Sequence, residues 1–160
     1  GKLKTKMKKL TIERKFDVQI EKLWEAFTKP EILQNWWSPK GMECSYATID
    51  LKLDGLFHYC FKTEDGNEFW GRGIYKTIKA PDIISYVDTF ADKDGNAVAP
   101  QHYGIPGEEI KDSLIEFRFS ELENSTLMIL SGDNHYEDSM TDQMTAGWNG
   151  MFDKLKQILE

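Results

Sequence analysis

The stretch SMTDQMTAGWNGMFDKLKQILE, residues 139–160, decides the fold. Its apolar residues Met140, Met144, Trp148, Met151, Phe152, Leu155, Ile158 and Leu159 recur at steps of four, three and one, which lines them along one face of an α-helix. Ser139 or Thr141 can cap its start. About 20 residues rising ~1.5 Å each make a rod of roughly 30 Å. Such a rod must lay its stripe on an apolar surface of similar length.

The middle of the chain supplies that surface, because there the hydrophobic period changes to two. GLFHYCFKT (55–63), NEFWGRGIYKTI (67–78) and DIISYVDTF (82–90) alternate and are separated by Asp65-Gly66-Asn67 and Ala80-Pro81-Asp82, the signature of an antiparallel meander. LIEFRFSEL (114–122) and STLMIL (125–130) add two strands after a long insertion over 92–112, and an insertion of that length is often functional. Upstream, Leu10, Ile12 and Phe16 share one strand face with Arg14, while Thr11, Glu13 and Lys15 take the other. Ile20, Leu23, Trp24 and Phe27 then fall at helical spacing until Thr28-Lys29-Pro30 breaks the helix and a second short one begins. Six or seven strands at ~4.8 Å make a sheet about 30 Å wide, which twists and can wrap the terminal rod. A straight rod does not fill both ends of a curved sheet, so the architecture predicts a pocket, walled on one side by the two short helices.

Composition narrows the function classes. A chain of 160 residues fits one domain over residues 1–160. No apolar run approaches the ~18 residues of a membrane span. The opening GKLKTKMKKL has no apolar signal core, so residues 1–6 read as a basic tail and the expected location is cytoplasmic. Five of the first nine residues are lysine, yet the net charge is −7, so the remainder repels phosphate backbones and nucleic acid is not an expected partner. His58, His102 and His135 have no ligand spacing, and neither metal nor cofactor is expected. Cys44 and Cys60 read as reduced thiols, although a hairpin pairing 43–51 with 55–63 would bring them near enough for a bridge.

The aromatic residues carry the functional reading. Neighbours on a helix diverge by ~100°, so Trp36 and Trp37 cannot share one contact. Either one is core and the other rims the cavity, or both staple helix to sheet. Phe57, Tyr59 and Phe61 form one inward row; Ile115, Phe117 and Phe119 form another, with Leu127 and Ile129 beside them. Such rows are core, and they also suit an aromatic or lipid-like guest. Gly71 and Gly73 share a face with Tyr75, where missing side chains would make room under the helix or mark a bulge. Arg14, on an apolar face, needs a carboxylate or a ligand oxygen. Glu116 and Arg118 face water.

Six stretches in order are similar to one known family: RKFDVQIEKLWEAF (14–27), TKPEILQNWWSPKG (28–41), DLKLDGLF (50–57), GIYKTIKAPDIISY (73–86), DKDGNAV (92–98) and Gly147-Trp148. The chain resembles START-like, or SRPBCC, domains with the Bet v-like helix-grip fold, in the bacterial branch related to the activator of the heat-shock-protein-90 ATPase. Asp54-Gly55 stands where many relatives carry Gly-Gly. The resemblance implies an α+β fold with a small apolar or aromatic molecule held between helix and sheet. Trp24, Trp37, Phe57, Tyr59 and Gly73 would line that site, together with Tyr75, Phe117, Met144 and Trp148. It also implies a chaperone as an alternative partner, and an enzyme of the cyclase or hydrolase kind as a further alternative. For an enzyme, Arg14, Tyr59, His102 and Asp88 are the polar candidates, although no spacing defines a catalytic set.

Overall fold

The computed structural model describes residues 8–135 and 138–160; the basic tail expected at 1–6 lies outside them. Seven strands occur: β1 (Lys8–Phe16), β2 (Met42–Ile49), β3 (Leu56–Thr63), β4 (Glu68–Lys79), β5 (Ile83–Phe90), β6 (Ser113–Glu121) and β7 (Thr126–Asn134). Helices α1 (Ile20–Thr28) and α2 (Pro30–Leu33) follow β1, and α3 (Asp138–Leu159) closes the chain. The strands make one antiparallel sheet in the order β1-β7-β6-β5-β4-β3-β2, and α3 lies on its inner face, the α+β helix-grip arrangement expected from the alternation. Ser139 and Thr141 fall inside the first turn of α3 rather than before it, so neither is the cap; Thr141 Oγ1 instead accepts a bond from Asn134 Nδ2 at 3.0 Å.

Register corrects two expectations. The inward row of β7 is Met128 opposite Phe119 and Leu130 opposite Phe117, while Leu127 and Ile129 are half-buried on the other face. Both parities of TLMIL are apolar, so alternation does not choose a face; the β6–β7 turn chooses it, closed by Leu122 N–H donating to Ser125 O at 2.8 Å. In the β2–β3 pair, a bulge between Cys44 and Tyr46 sets Cys44 opposite Phe61 and Tyr46 opposite Cys60. Phe61 and Cys60 are strand neighbours and point to opposite faces, so the bulge separates the two thiols, and both remain free and buried. Burial pushes the Cys44 thiol up to about 11.

The turn at Asp54-Gly55 needs one glycine. Asp54 takes the left-handed conformation (φ 62), which aspartate tolerates. A Cβ on Gly55 would lie 2.0 Å from Asp50 O, so only the second position demands glycine.

One end of the groove between α3 and the sheet is packed solid. Trp36 is fully buried and donates Nε1–H to Ala26 O at 3.0 Å, stapling α2 to α1. Phe27 sits between Trp36, edge-on, and Phe117, with ring centroids at 4.8 and 4.7 Å, and Phe152 of α3 closes the cluster. A fully buried phenylalanine stabilises a fold by roughly 1.5–3 kcal/mol. Two cations then pin this half of α3. Arg14 Nη1 donates to Asn149 Oδ1 at 3.0 Å and Nη2 to Asp153 Oδ1 at 2.9 Å, so the charge on the apolar face is met by structural pairing. Lys154 Nζ donates to Ser38 Oγ (2.8 Å), Ser38 O (3.0 Å), Pro39 O (3.0 Å) and Met42 O (3.2 Å), tying α3 to the segment between α2 and β2. Burial along α3 follows from this arrangement. Met151, Phe152, Leu155 and Leu159 are buried, Met144 and Trp148 are half-buried, and Met140 is exposed.

The long insertion covers the outer face of β3 and β4 before it reaches the end of the sheet. Asp92 O meets His58 Nε2 at 3.0 Å, and Gly95 O accepts from Arg72 Nη1 at 3.1 Å. Consequently His58 and Cys60, on the parity opposite the inward row, are buried as well. A short 3-10 turn, Pro100–Tyr103, then places Tyr103 at the end of the β4–β5 pair, where its hydroxyl accepts from Trp70 N–H and donates to Ala91 O. Glu116 and Arg118 pair with each other at 2.6 Å on the surface.

Replacing Lys154 by methionine keeps the volume but leaves Ser38 O and Ser38 Oγ without that donor, while Pro39 O and Met42 O keep one bond each, from Met42 N–H and Ser38 Oγ. Urea unfolding of K154M should show a loss of about 1–3 kcal/mol, whereas R118Q should change stability by less than ~0.5 kcal/mol.

A candidate ligand cavity with a buried carboxyl

Because α1 and α2 plug one end of the groove, the free volume lies at the other. A cavity of about 200 Å³ opens there, beneath the first half of α3. Its roof is Met144 and Trp148; its floor is Tyr59, Phe61, Phe69 and Phe90, from β3, β4 and β5. Pro100 and Lys111 from the insertion and His135 after β7 form the rim. The expected wall is therefore corrected: the insertion borders this space, and the two short helices occupy the opposite end.

Asp88 is the polar group of the floor. Ile84, Tyr86 and Asp88 share the inward parity of β5, and Asp88 lies opposite Gly73 of β4. Tyr59 reaches it from β3 by crossing β4 at Gly71, where a Cβ would come within 2.4 Å of Tyr59 Cζ. The glycine thereby lets the Tyr59 hydroxyl donate to Asp88 Oδ1 at 2.8 Å. Gly73 serves Tyr86 in the same way, since a Cβ there would sit 2.6 Å from Tyr86 Cδ2. The room left by both glycines is taken by the protein's own rings, which is why Gly73 does not open onto the cavity.

Asp88 is half-buried and lines the cavity. Desolvation raises its carboxyl from 3.8 to about 7, against the opposing pull of the Tyr59 hydroxyl bond. Burial, and then the nearby Asp88 charge, push the Tyr59 and Tyr86 hydroxyls well above the usual tyrosine range. Both phenols stay protonated near neutral pH, and the Tyr59 hydroxyl acts as a donor. The Tyr86 hydroxyl and Trp37 Nε1 are buried without a hydrogen-bond partner among the described residues.

The other residues singled out from the sequence fall around this site in layers. Tyr59, Met144 and Trp148 line it directly. Trp37 is 2% exposed and packs edge-on against Tyr59 and Trp148, with centroids 5.8 Å away in both cases, so it stands one ring behind the cavity rather than on its rim. Phe57 and Phe117 belong to the same buried stack, and Tyr75 lies behind Phe57. Trp24 packs on Phe119 at the plugged end. Among the polar candidates, Tyr59 and Asp88 are brought together; Arg14 is engaged with α3, and His102 lies in the 3-10 turn against Tyr103. Phe69, Phe90 and Lys111 were not anticipated as lining residues; the inward parity of NEFWGRG and DIISYVDTF carries the first two, and nothing in the local sequence marks the third. Among the described residues, no group of three His, Cys, Asp or Glu side chains could hold a metal ion, and no helix is long and apolar enough to cross a membrane.

A long helix gripped by one antiparallel sheet, with two short helices after the first strand and a cavity under the grip, defines a START-like domain of the SRPBCC type. The chain belongs to the family described as activator of Hsp90 ATPase homolog 1-like protein, whose model matches residues 17–160. Solved structures share the fold. A protein from Mycobacterium smegmatis is 21% identical with a TM-score of 0.75, covering 98% of this chain and 96% of that one. One from Arthrobacter aurescens is 23% identical with a TM-score of 0.78, covering 94% and 85%. The AHSA1 protein from Silicibacter pomeroyi is 21% identical with a TM-score of 0.74, covering 95% and 97%. No curated protein matches the chain.

The raised Asp88 carboxyl sets a pH dependence. In the folded chain it holds its proton up to about pH 7, whereas unfolded it releases it near the ordinary 3.8. Its contribution to stability is therefore complete below about pH 4 and is lost as pH rises toward 7. Measured against D88N by urea unfolding, the wild type should lose on the order of 2–4 kcal/mol between pH 4.5 and 7.5, with a flat difference above.

Proposed function

We propose that the chain is a binding protein for a small apolar or aromatic molecule held between α3 and the sheet. The observation that carries this reading is the cavity roofed by Met144 and Trp148, two residues of the apolar stripe that the fold leaves half-buried while Met151, Phe152, Leu155 and Leu159 are packed. A volume of about 200 Å³ is below the ~300–1,000 Å³ of drug-sized sites but above the ~150 Å³ of an apolar cavity that takes up benzene. The guest is thus of the size of one ring with a short substituent. Tyr59, Met144 and Trp148 would touch it, while Trp37, Phe57 and Phe117 hold the shape of the floor from behind. Trp24, Gly73 and Tyr75 act at a distance, through packing.

Family membership supports a second reading, a module that contacts a chaperone of the Hsp90 type. An unchanged ATPase rate of such a chaperone at micromolar concentrations of this chain would remove it.

Two tryptophans, Trp70 and Trp148, line the cavity, so occupancy should be visible in fluorescence. Titration with single-ring aromatics should quench tryptophan emission and raise the melting temperature. M144W, which fills the cavity from the roof, should fold and lose both responses. No quenching and no thermal shift at millimolar ligand would sink the proposal.

A further inference from the structure

We propose that the Asp88 end of the cavity recognises a protonated amine, which makes the guest a compact aromatic or short apolar ammonium compound. The proposal rests on the cavity being a ligand site and adds the chemistry it selects.

The argument begins with an incomplete set of bonds. Of the two carboxylate oxygens, Asp88 Oδ1 accepts from the Tyr59 hydroxyl, while Oδ2 has no hydrogen-bond partner among the described residues, and Asp88 lines the cavity. An ionised carboxylate in an apolar enclosure needs a further donor or a cation. Four of the described cations are engaged elsewhere: Lys9 with Asp133, Arg14 with Asp153, Arg72 with Gly95 O on the outer face, and Lys154 in its carbonyl nest. Lys111 stands on the rim, and no salt bridge joins it or any other described lysine or arginine to Asp88. The position beside Oδ2 is thus open to a donor brought by the guest.

The walls favour the same class. Tyr59, Phe61, Phe69, Phe90 and Trp148 surround the space with aromatic rings, whose faces attract cations. Aromatic walls over a single deep carboxylate are the composition of an ammonium cage. An anionic guest would meet the Asp88 charge, and a neutral one without a donor would leave Oδ2 dry and unpaired. Among the described residues, the remaining titratable groups about the site are the Tyr86 hydroxyl behind the floor and Asp133, His135 and Lys111 at the rim; Asp133 is already paired with Lys9.

The test uses three probes of nearly one shape: 2-phenylethylamine, 2-phenylethanol and phenylacetate, titrated by calorimetry into the full chain at pH 7.5. The amine should bind at least about tenfold more tightly than the alcohol and the acid. D88N, checked for native circular dichroism, should lose that preference, whereas R118Q, which alters only a surface ion pair, should retain it. Equal binding of all three, or tighter binding of the acid, overturns the ammonium assignment and leaves the cavity reading standing. If none binds at millimolar concentration, both fall. Should D88N not fold, the side-chain carboxyl carbon resonance of Asp88 decides in the wild type: the amine must move its titration to lower pH, and an unmoved titration overturns the proposal.

Discussion

Everything in this molecule follows from how the second half of α3 is held. Phe152 enters a cluster with Phe117 and Trp36, and Lys154 spends its hydrogen bonds on the chain between α2 and β2. Arg14 adds a charged tie from β1. Since the helix is packed at this end, the mismatch between rod and sheet is displaced to the other end. There Met144 and Trp148 face open space. The cavity is the remainder of an asymmetric grip.

The inner face shows how two glycines convert a flat row of rings into a site. Gly71 and Gly73 leave no side chains on the inner face at the middle of β4, and the rings of Tyr59 and Tyr86 lie across the strand in their place. This brings a phenol from β3 within hydrogen-bond distance of a carboxyl on β5, across an intervening strand. A methyl group at Gly71 would collide with the ring that makes the bond. Polar chemistry at the centre of an aromatic floor thus depends on two missing side chains.

The insertion has two tasks that share one path. Between Asp92 and Gly95 it satisfies His58 and Arg72 on the outer face, burying a second side of β3 that would otherwise meet water. Beyond the 3-10 turn it borders the cavity through Pro100 and Lys111. Anchoring one half of the loop to the sheet positions the half that borders the cavity.

The sequence alone determined the elements and their faces wherever one parity or one helical stripe was apolar and the other polar: the α3 stripe, the Leu10-Ile12-Phe16 row, the break at Pro30 and the Phe57-Tyr59-Phe61 row were all readable. It did not determine the face of β7, where both parities are apolar, or the separation of Cys44 from Cys60, which a single bulged residue decides. Nor could it say which end of the groove stays open, because that depends on whether α1, α2 or the insertion fills each end, a competition among segments far apart in the chain. Asp88 shows the division most plainly. Its inward parity could be counted along β5, but its raised carboxyl, its bond to Tyr59 and its place in the cavity floor exist only because desolvation and contact arise from groups that meet in space.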